Sequence, residues 1–290
     1  MILIIGGSGF LGYYLHQSLR KLEEKVISTY NKSMIDEENF YELDIRKVVD
    51  VSKFLIKYKP RILIYAVGIT DVDLCERNKK LANAINVEGI KNIIEHITDT
   101  DTKIIYFSTS FVFDGTKKFY LETDKPNPIS YYGESKLQGE KIVQDSGLPY
   151  AIIRTDQPYG WKKNWHHTNS MLRIIEKLEK NITYNEIIDW YNTPTSIEDI
   201  VKMTRKLLED NYEGIFHIVS DDFLSRVEFA EVVVEVFGLN KNNIKKIHSN
   251  ELKLSAKRPN VRLKNSKKVD LKMDISNVFE GLKKMKEMRT

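Results

Sequence analysis

The 290-residue sequence predicts an α/β fold, a doubly wound parallel sheet with a smaller C-terminal lid. Three observations lead there. Short, wholly apolar runs alternate with amphipathic stretches through the first half of the chain. A glycine-rich turn joins the first of these runs to the first amphipathic stretch. Beyond about residue 155 the alternation loosens, and aromatic and polar residues cluster.

The strand-like runs are 2–5, 25–30, 62–67, 103–108 and 150–154, and helical patterns fall between them at 9–22, 48–58, 81–96 and 132–146. A strand that is apolar along its whole length is buried on both faces, as in a parallel sheet covered by helices. Pro60, Pro149 and the Pro126-Asn-Pro128 loop mark element boundaries. Later in the chain a helix is expected at 170–178, another at 197–208, a strand at 214–219 and a helix at 226–237. The lysine-rich stretch 264–286 reads as a solvated helix face or rim.

Composition narrows the function classes. The net charge of +4 is mild and both signs are interspersed, so there is no electrostatic footprint for nucleic acid. The apolar runs are strand-sized, whereas a bilayer span needs about 20 residues, and no membrane association is expected. The first five residues run straight into the turn without a basic leader. A single cysteine, Cys75, fits a reducing compartment. A cytoplasmic protein is the expectation.

The turn Gly6-Gly-Ser-Gly9-Phe10-Leu11-Gly12 follows the first strand and opens the first helix. Such a turn needs one glycine for tightness, one for close approach of a pyrophosphate and one for helix-on-strand packing. The helix N-terminus then offers N–H groups and a favourable dipole to phosphates. In this strand–turn–helix context the turn predicts dinucleotide binding in a Rossmann-type half. We accordingly read 1–155 as a dinucleotide-binding domain to which 192–219 returns, with 156–191 and 220–290 as a substrate-binding lid. The second strand ends in Tyr30-Asn31-Lys32-Ser33, with no acid before Asp36. An NAD-selecting acid would stand there to hold the ribose hydroxyls. Asn31 and Lys32 therefore favour NADP, with NAD as the alternative.

A catalytic constellation follows. Tyr132 and Lys136 open a predicted helix one turn apart, on one face. A tyrosine with an ordinary value near 10 needs help to exchange protons, and a neighbouring lysine favours its phenolate. Lys136 is also placed to bond a nicotinamide ribose. Ser108-Thr109-Ser110 ends the fourth main strand, at the sheet edge where α/β ligands bind. Alone, a Tyr-x-x-x-Lys pair is commonplace; its order after a glycine turn and a Ser-Thr strand end is what carries weight.

The turn's Gly-x-x-Gly-Phe-Leu-Gly spacing resembles the extended short-chain dehydrogenase/reductase superfamily. Within it the chain is similar to the dTDP-4-dehydrorhamnose reductase family over nearly its whole length. Residues Ser108 to Gly115 resemble that family's Ser-Thr-Asp-Tyr-Val-Phe-Asp-Gly block. Tyr132-Gly-Glu-Ser-Lys136-Leu-Gln-Gly-Glu140 resembles its Tyr-Gly-x-Thr/Ser-Lys-x-x-Gly-Glu helix, and Arg154 to Gly160 its Arg-Thr-Ser-Trp-Val-Tyr-Gly block. Pro194-Thr195 and Lys257-Arg258-Pro259 match its later turns.

The resemblance implies an NADP- or NAD-dependent oxidoreductase of nucleotide-sugar metabolism, as in dTDP-rhamnose biosynthesis. It implies reduction of a nucleotide-linked 4-keto-6-deoxy sugar, with Tyr132 as proton donor and Thr109 and Lys136 assisting. Cofactor contacts are implied at Gly6, Gly9, Phe10, Leu11 and Gly12, at Asp44 and Ile45, and at Ala66, Val67 and Gly68. Asp44 has an alternative as a plain cap of the next helix. Asn86 falls where the superfamily supports its catalytic network. Sugar contact falls on Thr109, Ser110 and Gln157, and Arg258 is a candidate for the diphosphate. Ser110 replaces the family's Asp, Gln157 its Trp, and Tyr65 its Asn before Ala-Ala-Ala. These departures bear on which sugar fits. They also motivate a second expectation, a non-catalytic NADP-binding regulatory subunit resembling the methionine adenosyltransferase β subunit. A nucleotide-sugar epimerase is a third. A homodimer is a family expectation, and the adjacent His166-His167 pair is poorly spaced for a metal.

Overall fold

The computed structural model describes residues 1–22 and 24–288. In chain order the first half runs β1 (Ile2–Ile5), α1 (Phe10–Leu19), β2 (Val26–Tyr30), β3 (Phe40–Glu42), α2 (Val48–Tyr58) and β4 (Ile62–Tyr65). Then come α3 (Val72–Arg77), α4 (Lys79–Asn86), α5 (Glu88–Glu95), β5 (Lys103–Thr109), α6 (Tyr131–Asp145) and β6 (Tyr150–Thr155). The rest comprises β7 (Pro158–Tyr159), α7 (Ser170–Leu178), β8 (Tyr184–Ile187), β9 (Tyr191–Asn192), β10 (Thr195–Ser196), α8 (Ile197–Glu209) and β11 (Gly214–His217). It ends with β12 (Leu224–Ser225), α9 (Arg226–Phe237), β13 (Ile244–Ile247) and α10 (Val278–Glu287).

Seven strands form one wholly parallel sheet in the order β11-β6-β5-β4-β1-β2-β3. The doubly wound Rossmann-type fold is therefore present. The order reverses between β1 and β4, and that crevice at the carboxyl ends of the strands is where α/β sheets take ligands. Alternate residues of each strand feed opposite cores, as the two-residue period requires. Ile2, Ile4, Ile64, Ile105 and Ile153 pack with Leu15 and Leu19 of α1 and with Ile200 and Leu207 of α8. Leu3, Ile5, Leu63, Tyr65, Tyr106 and Ile152 pack with α2, α5 and α6. A third core joins α7, α9 and α10 through Met171, Ile174, Phe229, Val233, Leu282 and Met285.

The expected strands and helices of the first half recur within a few residues of their expected ends, with one difference. The single helix expected over 81–96 is broken at Val87 into α4 and α5. Tyr65 explains the break. Its hydroxyl donates to the Ile85 carbonyl, the oxygen that the Gly89 N–H would claim in an unbroken helix. Gly89 also leaves room for that hydroxyl, since a Cβ there would lie 2.7 Å from it. The short β3 and α3 and the small β8–β13 sheet have no periodic signal in the sequence. The lysine-rich stretch is helical only from Val278, and Leu271, Met273 and Ile275 before it are buried against the first core.

Helix α6 is keyed to the sheet by a buried ion pair. Arg154 of β6 gives two hydrogen bonds to Glu140, 2.9 and 2.7 Å, and the Ser108 hydroxyl gives a third. Both charged side chains are almost fully buried, at 2% and 1% exposure. Removing one partner strands the other charge in a dry interior, at a cost of about 3–5 kcal/mol. Glu140→Ala is therefore expected to lose about that much unfolding free energy in urea, far more than a surface pair such as Arg205–Glu209, which contributes about 0.3–0.5 kcal/mol.

Candidate active site

The glycine turn carries the geometry of a phosphate cradle. Gly6 adopts φ +86°, a left-handed conformation, and the Thr29 hydroxyl accepts its N–H at 3.1 Å. A Cβ on Gly12 would sit 2.2 Å from the Gly6 carbonyl oxygen, so only glycine lets α1 approach the turn. Gly7, which sequence reasoning did not single out, is pressed against β2: a Cβ there would be 2.4 Å from Ser28. No side chain caps α1 and no acid stands in its first turn, which leaves its N-terminal N–H groups and dipole for an anion.

The other expected cofactor residues lie along the same sheet edge. Ala66, Val67 and Gly68 follow β4 directly, and Val67 packs against Gly6. Asn31 and Lys32 form an exposed bend after β2. The nearby acid Glu37 is occupied by Tyr13, Gln17 and Arg20 of the α1 region. Asp44 does not cap α2, whose N-cap is Lys47; instead it holds Arg46 in a two-pronged pair that keeps its carboxyl below the usual range. Ile45 is buried, and Asn92 bonds its carbonyl.

At the centre stand Thr109, Tyr132 and Lys136, all buried. Ser130 caps α6 through the Gly133 N–H, and Gly133 fits tightly under the Phe111 carbonyl, so the helix starts just where β5 ends. Tyr132 is thereby brought beside the Thr109 side chain. Burial pushes the Tyr132 hydroxyl up to about 12, and the Thr109 hydroxyl beside it opposes this. Lys136 lies one turn on, its Nζ 4.2 Å from the Tyr106 ring centroid. A Cβ on Gly68 would come within 3.9 Å of that Nζ, so the lysine faces the loop after β4. Burial pushes Lys136 down to about 7, with Glu140 partly restoring it.

Asn86 joins the two loops. Its side chain bonds both the N–H and the carbonyl of Ile69 (2.8 and 3.2 Å) and reaches Ser135 on α6 at 3.0 Å. The expected substrate positions are distributed around this centre. Ser110 leaves β5 beside Asp156, which follows β6 and accepts from Asn192 and Thr193. Gln157 sits on left-handed backbone (φ +38°), bonds Ser170 of α7, and keeps its buried Oε1 without a hydrogen-bond partner. Arg258 pairs with Asp73 at 2.7 Å and stacks on Trp190, which packs in the same cluster as Tyr132.

Sequence reasoning missed Asp156 and Tyr106; the only trace of Tyr106 was the small Gly139 on the helix face that covers it. Among the tryptophans of the later half, Trp161 is tied to the Met285 carbonyl beside Phe237. Trp165 packs edge-on against Tyr13. His166 packs on the rings of Phe10 and Tyr13, over the phosphate turn.

The match to known proteins spans this whole arrangement. The profile of the RmlD substrate binding domain covers residues 1–287. The chain belongs to this family. It is 28% identical to the probable low-salt glycan biosynthesis reductase Agl14 of Haloferax volcanii, over 88% of this chain and 86% of that one. It is 23% identical to the methionine adenosyltransferase 2 subunit beta of Bos taurus, over 89% of this chain and 78% of that one. The crystal structure of the Bacillus anthracis dTDP-4-dehydrorhamnose reductase in complex with NADP superposes with a TM-score of 0.88 at 26% identity. That match covers 100% of this chain and 99% of the other. The family is thus one of dTDP-4-dehydrorhamnose reductase-like NADP-binding proteins. No helix among the described residues is long and apolar enough to cross a membrane.

The buried lysine has a measurable consequence. In the unfolded chain Lys136 titrates near 10.4, and in the fold near 7. Between those values the unfolded state binds more protons, so this group makes stability rise with pH; its cost is fully present below about 7. Lys136→Met is expected to raise the midpoint of thermal unfolding of the cofactor-free protein by a few degrees at neutral pH. It should also flatten the rise in stability between pH 7 and 9, read by circular dichroism.

Proposed function

We propose that this chain is an NADPH-dependent reductase of a nucleotide-linked 4-keto-6-deoxy sugar. The observation that carries the reading is the buried set of Thr109 at the end of β5, Tyr132 beside it in the first turn of α6, and Lys136 one turn on facing the loop after β4. The family membership and the NADP complex of a related reductase support it.

Gly6, Gly9, Phe10, Leu11 and Gly12 would hold the pyrophosphate, and Ala66, Val67 and Gly68 would flank the nicotinamide half. Asp44 and Ile45 would lie by the adenine. Asn31 and Lys32 accept a 2′-phosphate, because no acid opposes it there and Glu37 is engaged elsewhere. When bound, the reduced nicotinamide supplies the hydride. Tyr132 holds its proton well past neutrality, as an acid that must deliver it requires. It donates that proton to the carbonyl oxygen, while the Thr109 hydroxyl orients the same oxygen. Lys136 binds the ribose and, once charged there, stabilises the phenolate that remains. Solvent then returns the proton. The sugar would lie against Ser110 and Gln157, between the 1–155 domain and the lid, with Arg258 toward the diphosphate.

Loss of nicotinamide absorbance with enzymatically generated dTDP-4-dehydrorhamnose tests the reading. Turnover is expected with NADPH in preference to NADH. Tyr132→Phe should lower kcat by about 10²-fold or more while leaving the NADPH dissociation constant nearly unchanged. Unaltered turnover in that variant would overturn the assigned proton donor. Tight NADPH binding without reduction of any keto-sugar would instead favour a regulatory subunit, the reading that the altered Ser110 and Gln157 positions and the methionine adenosyltransferase relative support.

A further inference from the structure

We propose that His166 is a further cofactor-binding residue, whose buried Nε2–H donates to a pyrophosphate oxygen of a dinucleotide held on the glycine turn. The proposal deepens the dinucleotide-binding part of the reading above and rests on that part; it does not depend on the sugar.

The segment that follows β7 leans on the start of α1. The Tyr14 hydroxyl donates to the Trp161 carbonyl at 2.8 Å. Lys163 Nζ stands 5.7 Å from the Tyr13 ring centroid, and Trp165 meets the same ring edge-on at 5.4 Å. His166 is only 7% exposed, with its ring centroid 5.8 Å from those of both Phe10 and Tyr13. Phe10 is the first residue of α1, so the imidazole is seated at the helix end that an anion is expected to meet.

Hydrogen bonding fixes which ring nitrogen carries the proton. The Lys163 N–H, which can only donate, reaches Nδ1 at 3.2 Å. Nδ1 is therefore the acceptor, and the proton of the neutral ring sits on Nε2. Burial pushes the imidazole down to about 4, which keeps it neutral at neutral pH. Nε2 is buried and has no hydrogen-bond partner among the described residues. From the turn, the backbone of Ser8 bears on the ring, but no hydrogen bond to Nε2 closes there.

Packing alone does not call for this residue. A phenylalanine would fill the space between Phe10, Tyr13 and Trp165 without an orphan donor, and a donor left buried and unpaired is destabilising. The turn beside it is in a similar condition. Gly6, Ser8 and Gly9 commit their N–H groups to Thr29 and Gly6, while the first N–H groups of α1 meet no capping side chain. Donors from the first half of the chain and from the second thus meet at one end of α1. A pyrophosphate offers charged oxygens to both, and hydrogen bonds to charged acceptors are the strong ones.

The test is NADPH binding to the full-length protein, followed by fluorescence titration. In His166→Phe, which keeps a ring and removes the donor, the NADPH dissociation constant is expected to rise about tenfold or more. His166→Gln, whose side-chain amide places an N–H where Nε2 stands, should recover most of that loss. His166→Leu is read in place of the Phe variant if that protein does not fold. An unchanged dissociation constant in a folded variant without the donor would overturn the proposal. Equal losses in the Phe and Gln variants would overturn it too, since they mark a packing role. Wild-type protein that binds neither NADPH nor NADH sinks the proposal together with dinucleotide binding at the turn. Wild-type protein that binds NADPH but reduces no keto-sugar sinks the reductase reading alone, because the binding comparison needs no sugar.

Discussion

Everything at the candidate site depends on the seating of helix α6 against β5 and β6. Three residues of the helix are pinned, one in its first turn and two adjacent ones past its middle. Gly133 lies under the Phe111 carbonyl, Gly139 lies against the Tyr106 hydroxyl, and Glu140 is locked to Arg154 and Ser108. Tyr132 adjoins the first anchor and Lys136 lies between the anchors, so their place relative to Thr109 is a consequence of main-chain packing. A rigid helix start on a rigid strand end is the arrangement that holds proton-transfer groups within hydrogen-bond reach.

The same packing links the proton-transfer residues to the glycine turn. Asn86 fastens the loop after β4 to Ser135 on α6, and Val67 in that loop touches Gly6. The turn, the post-β4 loop and the Tyr-Lys helix therefore form a continuous polar edge across the point where the strand order reverses. Residues of the second half cover it from two directions: His166 over the turn, and Trp190 with Arg258 near Tyr132.

Burial gives these groups opposite tendencies. Tyr132 is driven to hold its proton and Lys136 to lose one. In the cofactor-free protein neither charge is favoured, and the site stores that cost in its stability. A strongly held tyrosine proton and a poorly solvated lysine are the starting conditions from which a bound cofactor and a carbonyl oxygen can draw reactivity.

The sequence by itself determined the fold class, the glycine turn that opens α1 and the placement of Tyr132 and Lys136 one turn apart on a helix. Those features are local: apolar periodicity, glycine spacing and residues one helical turn apart are written in adjacent positions. Only the tertiary structure decided how distant segments share one side chain. Asp156, just past β6, accepts from the Asn192 amide and the Thr193 N–H, 36 and 37 positions further along the chain. The break at Val87 likewise depends on a tyrosine from another strand, and the tie between Asp44 and Arg46 on side-chain geometry that spacing leaves open. Periodicity encodes which face of an element is buried. It carries no record of the partner that face will meet, because register between strands is fixed only when the sheet assembles.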